Sequence, residues 1–209
     1  MRINAVLNTN LEPIMASLSF IRRHWIVLLA LGLIAALGRV IQLGGFGEVS
    51  RFTHMLLEIV IEGSRIALLL FVFGLANMKT GLGHVVRLFT GRVSVRSYAR
   101  QAWSKMKSRW PALTLSFVAF ALIAWCLNLL IDQLAYETCL YLTLKREGVL
   151  VDTSSEWTIL LFFKNLSVIP FTLVFETFLL LWLANKAPLP QSDTTKACDS
   201  LILYDAPRR

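Results

Sequence analysis

Glu58, Glu62 and Arg65 are the first residues in this chain placed to do chemistry, because all three sit inside an apolar run. At 100° per residue they fall within about 60° of one another on a helix. Ionisable groups in such a run are costly unless paired, and they serve either as ion pairs that fix packing or as a route for ions or protons. Arg39 lies in the apolar run before them, Asn128 and Asp132 in a later one at i, i+4 spacing, and Lys164 and Glu176 in the last. Equal depth in a membrane predicts the pairs Arg39–Glu62 and Arg65–Glu176. The near balance of these charges favours packing pairs over a conducting route.

Other chemistries find little support. Glu58 and Glu62 are half of a carboxylate metal site, but the Glu-x-x-His partner motif is missing. His24, His54 and His84 have no metal-ligand neighbour at useful spacing. No Walker loop, dinucleotide fingerprint or Gly-x-Ser-x-Gly occurs, and Gly81-Leu82-Gly83 is too short for a phosphate loop. An enzyme at the outer face would have only Glu58, Glu62 and Asp132 as carboxylates. The expectation is therefore no enzyme, no cofactor and no metal. Cys126, Cys139 and Cys198 are too few and too scattered for a disulfide framework.

A second group of candidates lies in Met78–Trp110, which holds eight basic residues and no acidic one. The chain has 21 basic and 13 acidic residues, so its net charge of +8 sits in this segment. Arg87, Arg92, Arg96, Arg100, Lys105, Lys107 and Arg109 are candidates for binding the anionic lipid of an inner leaflet or a cytosolic protein partner. Nucleic acid is the weaker reading, because lipid headgroups are the nearer polyanion and an aromatic stripe accompanies the charges. From Ser94 on, Val95, Tyr98, Ala99, Ala102, Trp103, Met106 and Trp110 recur at helical spacing, which predicts a basic amphipathic helix lying in the membrane interface.

The elements that must position these groups are long apolar helices. Apolar residues make up 56% of the 209 and charged ones 16%, against roughly 25% charged in a soluble globule. The pattern predicts an all-α integral membrane protein with four transmembrane helices, at about 25–43, 55–77, 111–132 and 157–184. They form a single membrane domain over 1–185, followed by a flexible cytoplasmic tail at 186–209. Ile14, Leu18 and Ile21 predict a short amphipathic lead-in, and Gly32/Ala36 and Gly63/Ala67 are small-residue pairs suited to close packing. Gly81, Gly83 and Gly91 predict a broken connector at the start of the basic segment 78–110. The third helix is expected to run on toward Arg146 in an outer extension, 134–156. Thr153-Ser154-Ser155-Glu156 predicts a capping box for the fourth. The 28 residues after it would span about 42 Å, so this helix must tilt, kink at Pro170 or protrude.

Fifteen basic residues flank one side of these spans and three the other. The positive-inside rule then puts both termini and the basic segment in the cytoplasm, taking the membrane to be a bacterial inner membrane. The functional expectation is a membrane sensor or anchor subunit, homo-oligomeric, that recruits a cytosolic partner, as in a bacterial antiviral defence or stress system. The alternative is a small oligomeric channel or transporter subunit that uses the intramembrane charges.

Overall fold

The computed structural model describes residues 11–90 and 95–184, without the side chains of 88, 89, 95–98 and 101. The tail expected at 186–209, Cys198, Arg92 and the side chain of Arg96 lie outside the described residues. All regular structure among the described residues is helical.

Helix α1, Glu12–Gln42, opens on Pro13 and bends at His24, whose φ of −119° and ψ of 23° are not helical. It ends at Gly44, where φ is +72°. Helix α2, Arg51–Phe73, is capped by Ser50, whose hydroxyl accepts from the Thr53 amide at 3.2 Å. At Gly74 the chain turns through 90° into α3, Met78–Phe89. Asn77 caps α3 by accepting from the amides of Lys79 and Thr80. Helix α4 is Val95–Ser108 and α5 is Trp110–Tyr136. Helix α6, Leu140–Arg146, is short. The last long helix consists of α7, Trp157–Phe163, a π-turn at Lys164–Val168, and α8, Ile169–Leu183.

Three expectations are corrected. The basic segment does not open as a glycine-broken connector. Its first part is helix α3, and Gly81 is needed there because a Cβ would lie 2.0 Å from the Leu70 carbonyl oxygen of α2. The third helix does not run on to Arg146, since Cys139 takes a left-handed φ of 52° and separates α5 from α6. The capping box does not form: Glu156 flanks α7 without a side-chain cap, and Thr158 donates its amide to the Ser155 carbonyl instead.

Among the described residues three helices are long and apolar enough to cross a membrane: Glu12–Gln42, Trp110–Tyr136 and Trp157–Leu183. The bent pair α2–α3 supplies a fourth if it is counted as one broken span. Helix α1 packs along α2 and along the antiparallel α7–α8 line. Helix α8 also touches α2 and α5. One end of the bundle carries the α1–α2 loop and α6, and is called here the loop end. It is covered by the 147–156 segment, where Leu150 is buried against Val40 and Ile159 and the Val151 amide donates to the Gly45 carbonyl at 3.0 Å. The other end, where α1 begins and α8 ends, holds α4 and is called the basic end.

The π-turn has a local cause. Pro170 has no N–H and its ring crowds the preceding turn, so the helix widens, and the Ile169 amide bonds back five residues to the Lys164 carbonyl. Helix α1 crosses at this point. A Cβ on Gly32 would lie 3.3 Å from both the Asn165 carbonyl oxygen and Pro170 Cγ. Gly32 thus packs as its small-residue pairing suggested. Gly63 is exposed, with nothing within 4 Å of a Cβ.

Candidate functional site

Helix α2 presents His54, Glu58, Glu62 and Arg65 on one face, over about 16 Å of rise. Glu58 faces α1, where Arg39 approaches both of its carboxylate oxygens, at 3.1 and 3.4 Å. Gln42 donates to the same carboxylate at 2.5 Å, and its amide nitrogen lies 3.3 Å from His54 Nδ1. Arg39 also lies 3.9 Å from Glu62. Glu62 in turn takes a 2.6 Å ion pair from Arg65, whose other Nη donates to Asn165 Oδ1 at 2.8 Å. Asn165 is 1% exposed and passes the chain on to the Leu161 carbonyl. The result is a continuous polar chain from the loop end to the middle of the bundle, with two arginines balanced by two glutamates.

The chain then stops. Arg65 Nε is buried without a hydrogen-bond partner. Beside it lies a cavity of roughly one water's size, lined by Gly32, Ser64, Asn165, Pro170 and Leu173 among others. Below this point Leu28, Leu68, Phe71, Val72, Val174 and Phe178 form one buried apolar cluster. Val72 and Val174 are fully buried, and the half-buried His24 ring packs at the edge of the cluster, 4.6 Å from the Phe20 centroid and 5.6 Å from that of Phe71.

Four of the eight expected intramembrane residues, Arg39, Glu58, Glu62 and Arg65, are thus brought together. The other four are not. Asn128 donates to the Ala124 carbonyl of its own helix, and Asp132 is half-buried on α5 and makes no ion pair among the described residues. Lys164 is half-buried at the start of the π-turn, also outside the ion pairs. The Arg65–Glu176 pair does not form. Glu176 lies eleven residues beyond Asn165, about 16 Å further along the helix, and is exposed. In an unbroken α-helix Asn165 and Glu176 would share a face, but the π-turn shifts the phase between them. The Arg39–Glu62 contact forms, with Glu58 as the nearer partner of Arg39. Gln42, His54 and Asn165 complete the network and were not expected in it. Their signal is present as the spacings Arg39/Gln42 at i, i+3 and His54/Glu58 at i, i+4. Among the described residues no three of His, Cys, Asp and Glu converge on a metal-sized site.

The basic end has its own construction. Lys105 of α4 is half-buried, donates to the Trp182 carbonyl of α8, and stands 4.2 Å from the Trp182 ring centroid. Trp182 Nε1 donates to Glu12 of α1 at 2.9 Å. This clasp joins α4 to both helices. Burial holds the Lys105 ammonium below its usual pKa, with Glu12 opposing that shift and Arg109 adding to it. Lys105 therefore turns toward the bundle, whereas Arg87, Arg100, Lys107 and Arg109 are exposed. Lys107 lies 5.5 Å from the exposed Trp103 ring.

Comparisons with family models, with curated proteins and with solved structures gave no match.

Proposed function

We propose that this chain is a non-conducting membrane sensor or anchor subunit with four crossings, the second being the bent α2–α3 pair. The loop end faces outward, the basic end faces the cytoplasm of a bacterial cell, and both termini are cytoplasmic. The observation that carries this reading is the asymmetry of the bundle interior. A balanced polar chain enters from the loop end and ends at Arg65 and Asn165; beyond it the apolar cluster from Leu28 to Phe178 dominates, and the buried Ser17 and Thr177 hydroxyls donate to carbonyls of their own helices. A route for ions needs polar groups or water along its whole length, so the arrangement favours ion pairs that hold helix register.

The basic end supports the recruiting role. Helices α3 and α4 are amphipathic, and the Lys105–Trp182–Glu12 clasp docks α4 on the bundle so that Arg100 and Lys107 point away from it. These charges suit the phosphate groups of an anionic inner leaflet, and the same face is offered to an acidic cytosolic protein. The test is purification in native nanodiscs with the soluble co-purifying proteins identified. Replacing Arg87, Arg100, Lys107 and Arg109 with Gln is expected to lower recovery of the soluble partner at least tenfold while the protein stays in the membrane. Undiminished recovery would rule out recruitment through this surface.

A further inference from the structure

Glu176 is a carboxylate exposed on the most apolar helix of the bundle. Val174, Phe175, Thr177, Phe178, Leu181 and Trp182 are buried. The opposite stripe, Thr172, Glu176 and Leu180 at i, i+4, i+8, is left open, with Leu180 59% exposed. Among the described residues no ion pair is made by Glu176, nor by Arg22, which is exposed on α1.

The register between α1 and α8 sets the relative heights of these groups. Phe20 packs on Phe178 at 5.2 Å between ring centroids, and Gly32 stands against Asn165, Leu166 and Pro170. The helices are antiparallel, so two residues beyond Phe20 matches two residues before Phe178. Arg22 therefore stands level with Glu176, and Leu18, also exposed, stands level with Leu180. Leu18/Arg22 and Leu180/Glu176 are each spaced i, i+4, which aligns an apolar and a charged group on both helices. Within one chain they cannot meet, because the α8 stripe faces away from α1.

Copies of a membrane protein related by rotation about the membrane normal keep every residue at its own height. Contacts between such copies can therefore join only groups that are level. We propose that the Leu18–Arg22 face of α1 in one copy seats against the Thr172–Leu180 stripe of α8 in the next, with Arg22 pairing with Glu176. The two surfaces differ, so the contact is heterologous and closes into a ring rather than a two-fold dimer. This rests on the membrane-spanning reading and names the surface of the expected homo-oligomer. It does not depend on recruitment of a partner.

The test uses a chain with Cys126, Cys139 and Cys198 changed to Ser, carrying Arg22→Cys together with Glu176→Cys and oxidised in the membrane. A ladder of cross-linked species reaching at least trimers is expected, and neither single cysteine should give more than a trace of dimer. A strong dimer from Glu176→Cys alone, or no cross-link from the pair, would overturn the ring. The mass of the unsubstituted chain in native nanodiscs gives a second reading that needs no variant to fold. Several copies per disc are expected, and a monomer would overturn the proposal. Undiminished partner recovery after the four changes to Gln, with the ladder intact, would count against recruitment and leave the ring standing.

Discussion

Arg65 is the residue on which the polar network depends most. It supplies the 2.6 Å pair to Glu62 and the 2.8 Å bond to Asn165, and it marks the point where polar side chains give way to the apolar cluster. Arg65→Met removes the donor to the buried Asn165 Oδ1 and leaves Glu62 with only its longer, 3.9 Å contact to Arg39. A hydrogen bond to a charged group is worth about 1.5–3 kcal/mol, so a clear fall in the thermal midpoint of the purified protein is expected. Lys164→Met, at a cation that makes no ion pair among the described residues, should change the midpoint little. Equal effects would show that the network does not hold the bundle. At this scale the sequence was partly legible. Charges in apolar runs identify themselves, and Arg39, Glu58, Glu62 and Arg65 were visible on that ground alone. Gln42 and Asn165 were missed because neutral amides carry no comparable alarm. Glu176 was misassigned because it was set at the depth of Arg65, a place taken by Asn165 about 16 Å earlier on the helix.

At the scale of elements, the helices follow from hydropathy and the joints do not. A glycine pair such as Gly81 and Gly83 reads as a break in a one-dimensional pattern, whereas in three dimensions the two residues differ. Gly81 lets α3 approach the Leu70 carbonyl, while Gly83 has nothing within 4 Å of a Cβ. Gly81→Ala is therefore expected to loosen the 90° joint and lower the thermal midpoint. Gly83→Ala should be neutral or raise it, since Ala is favoured over Gly in a helix by about 1 kcal/mol. Stabilisation by both changes would mean that the joint does not require the close approach. The π-turn follows the same logic. Pro170 flags a disturbance in the sequence, but the form it takes depends on α1 crossing at Gly32.

For the whole molecule, the charge asymmetry is a property of the sequence, and the structure gathers Arg100, Lys105, Lys107 and Arg109 at one end. Single cysteines at Lys107 and Arg146, each in a chain with Cys126, Cys139 and Cys198 changed to Ser, should react with an impermeant thiol reagent from opposite sides of the membrane. Reaction from the same side would contradict the four-crossing arrangement. What no hydropathy profile shows is how polar and apolar segments from different helices line up at each height. That alignment separates a bundle with a through-going polar route from one that is closed. Ion flux in proteoliposomes measures it most directly. A closed apolar half predicts proton and potassium flux no greater than in empty vesicles, unchanged by Glu62→Gln. Flux well above that background, and lost on Glu62→Gln, would contradict a non-conducting subunit.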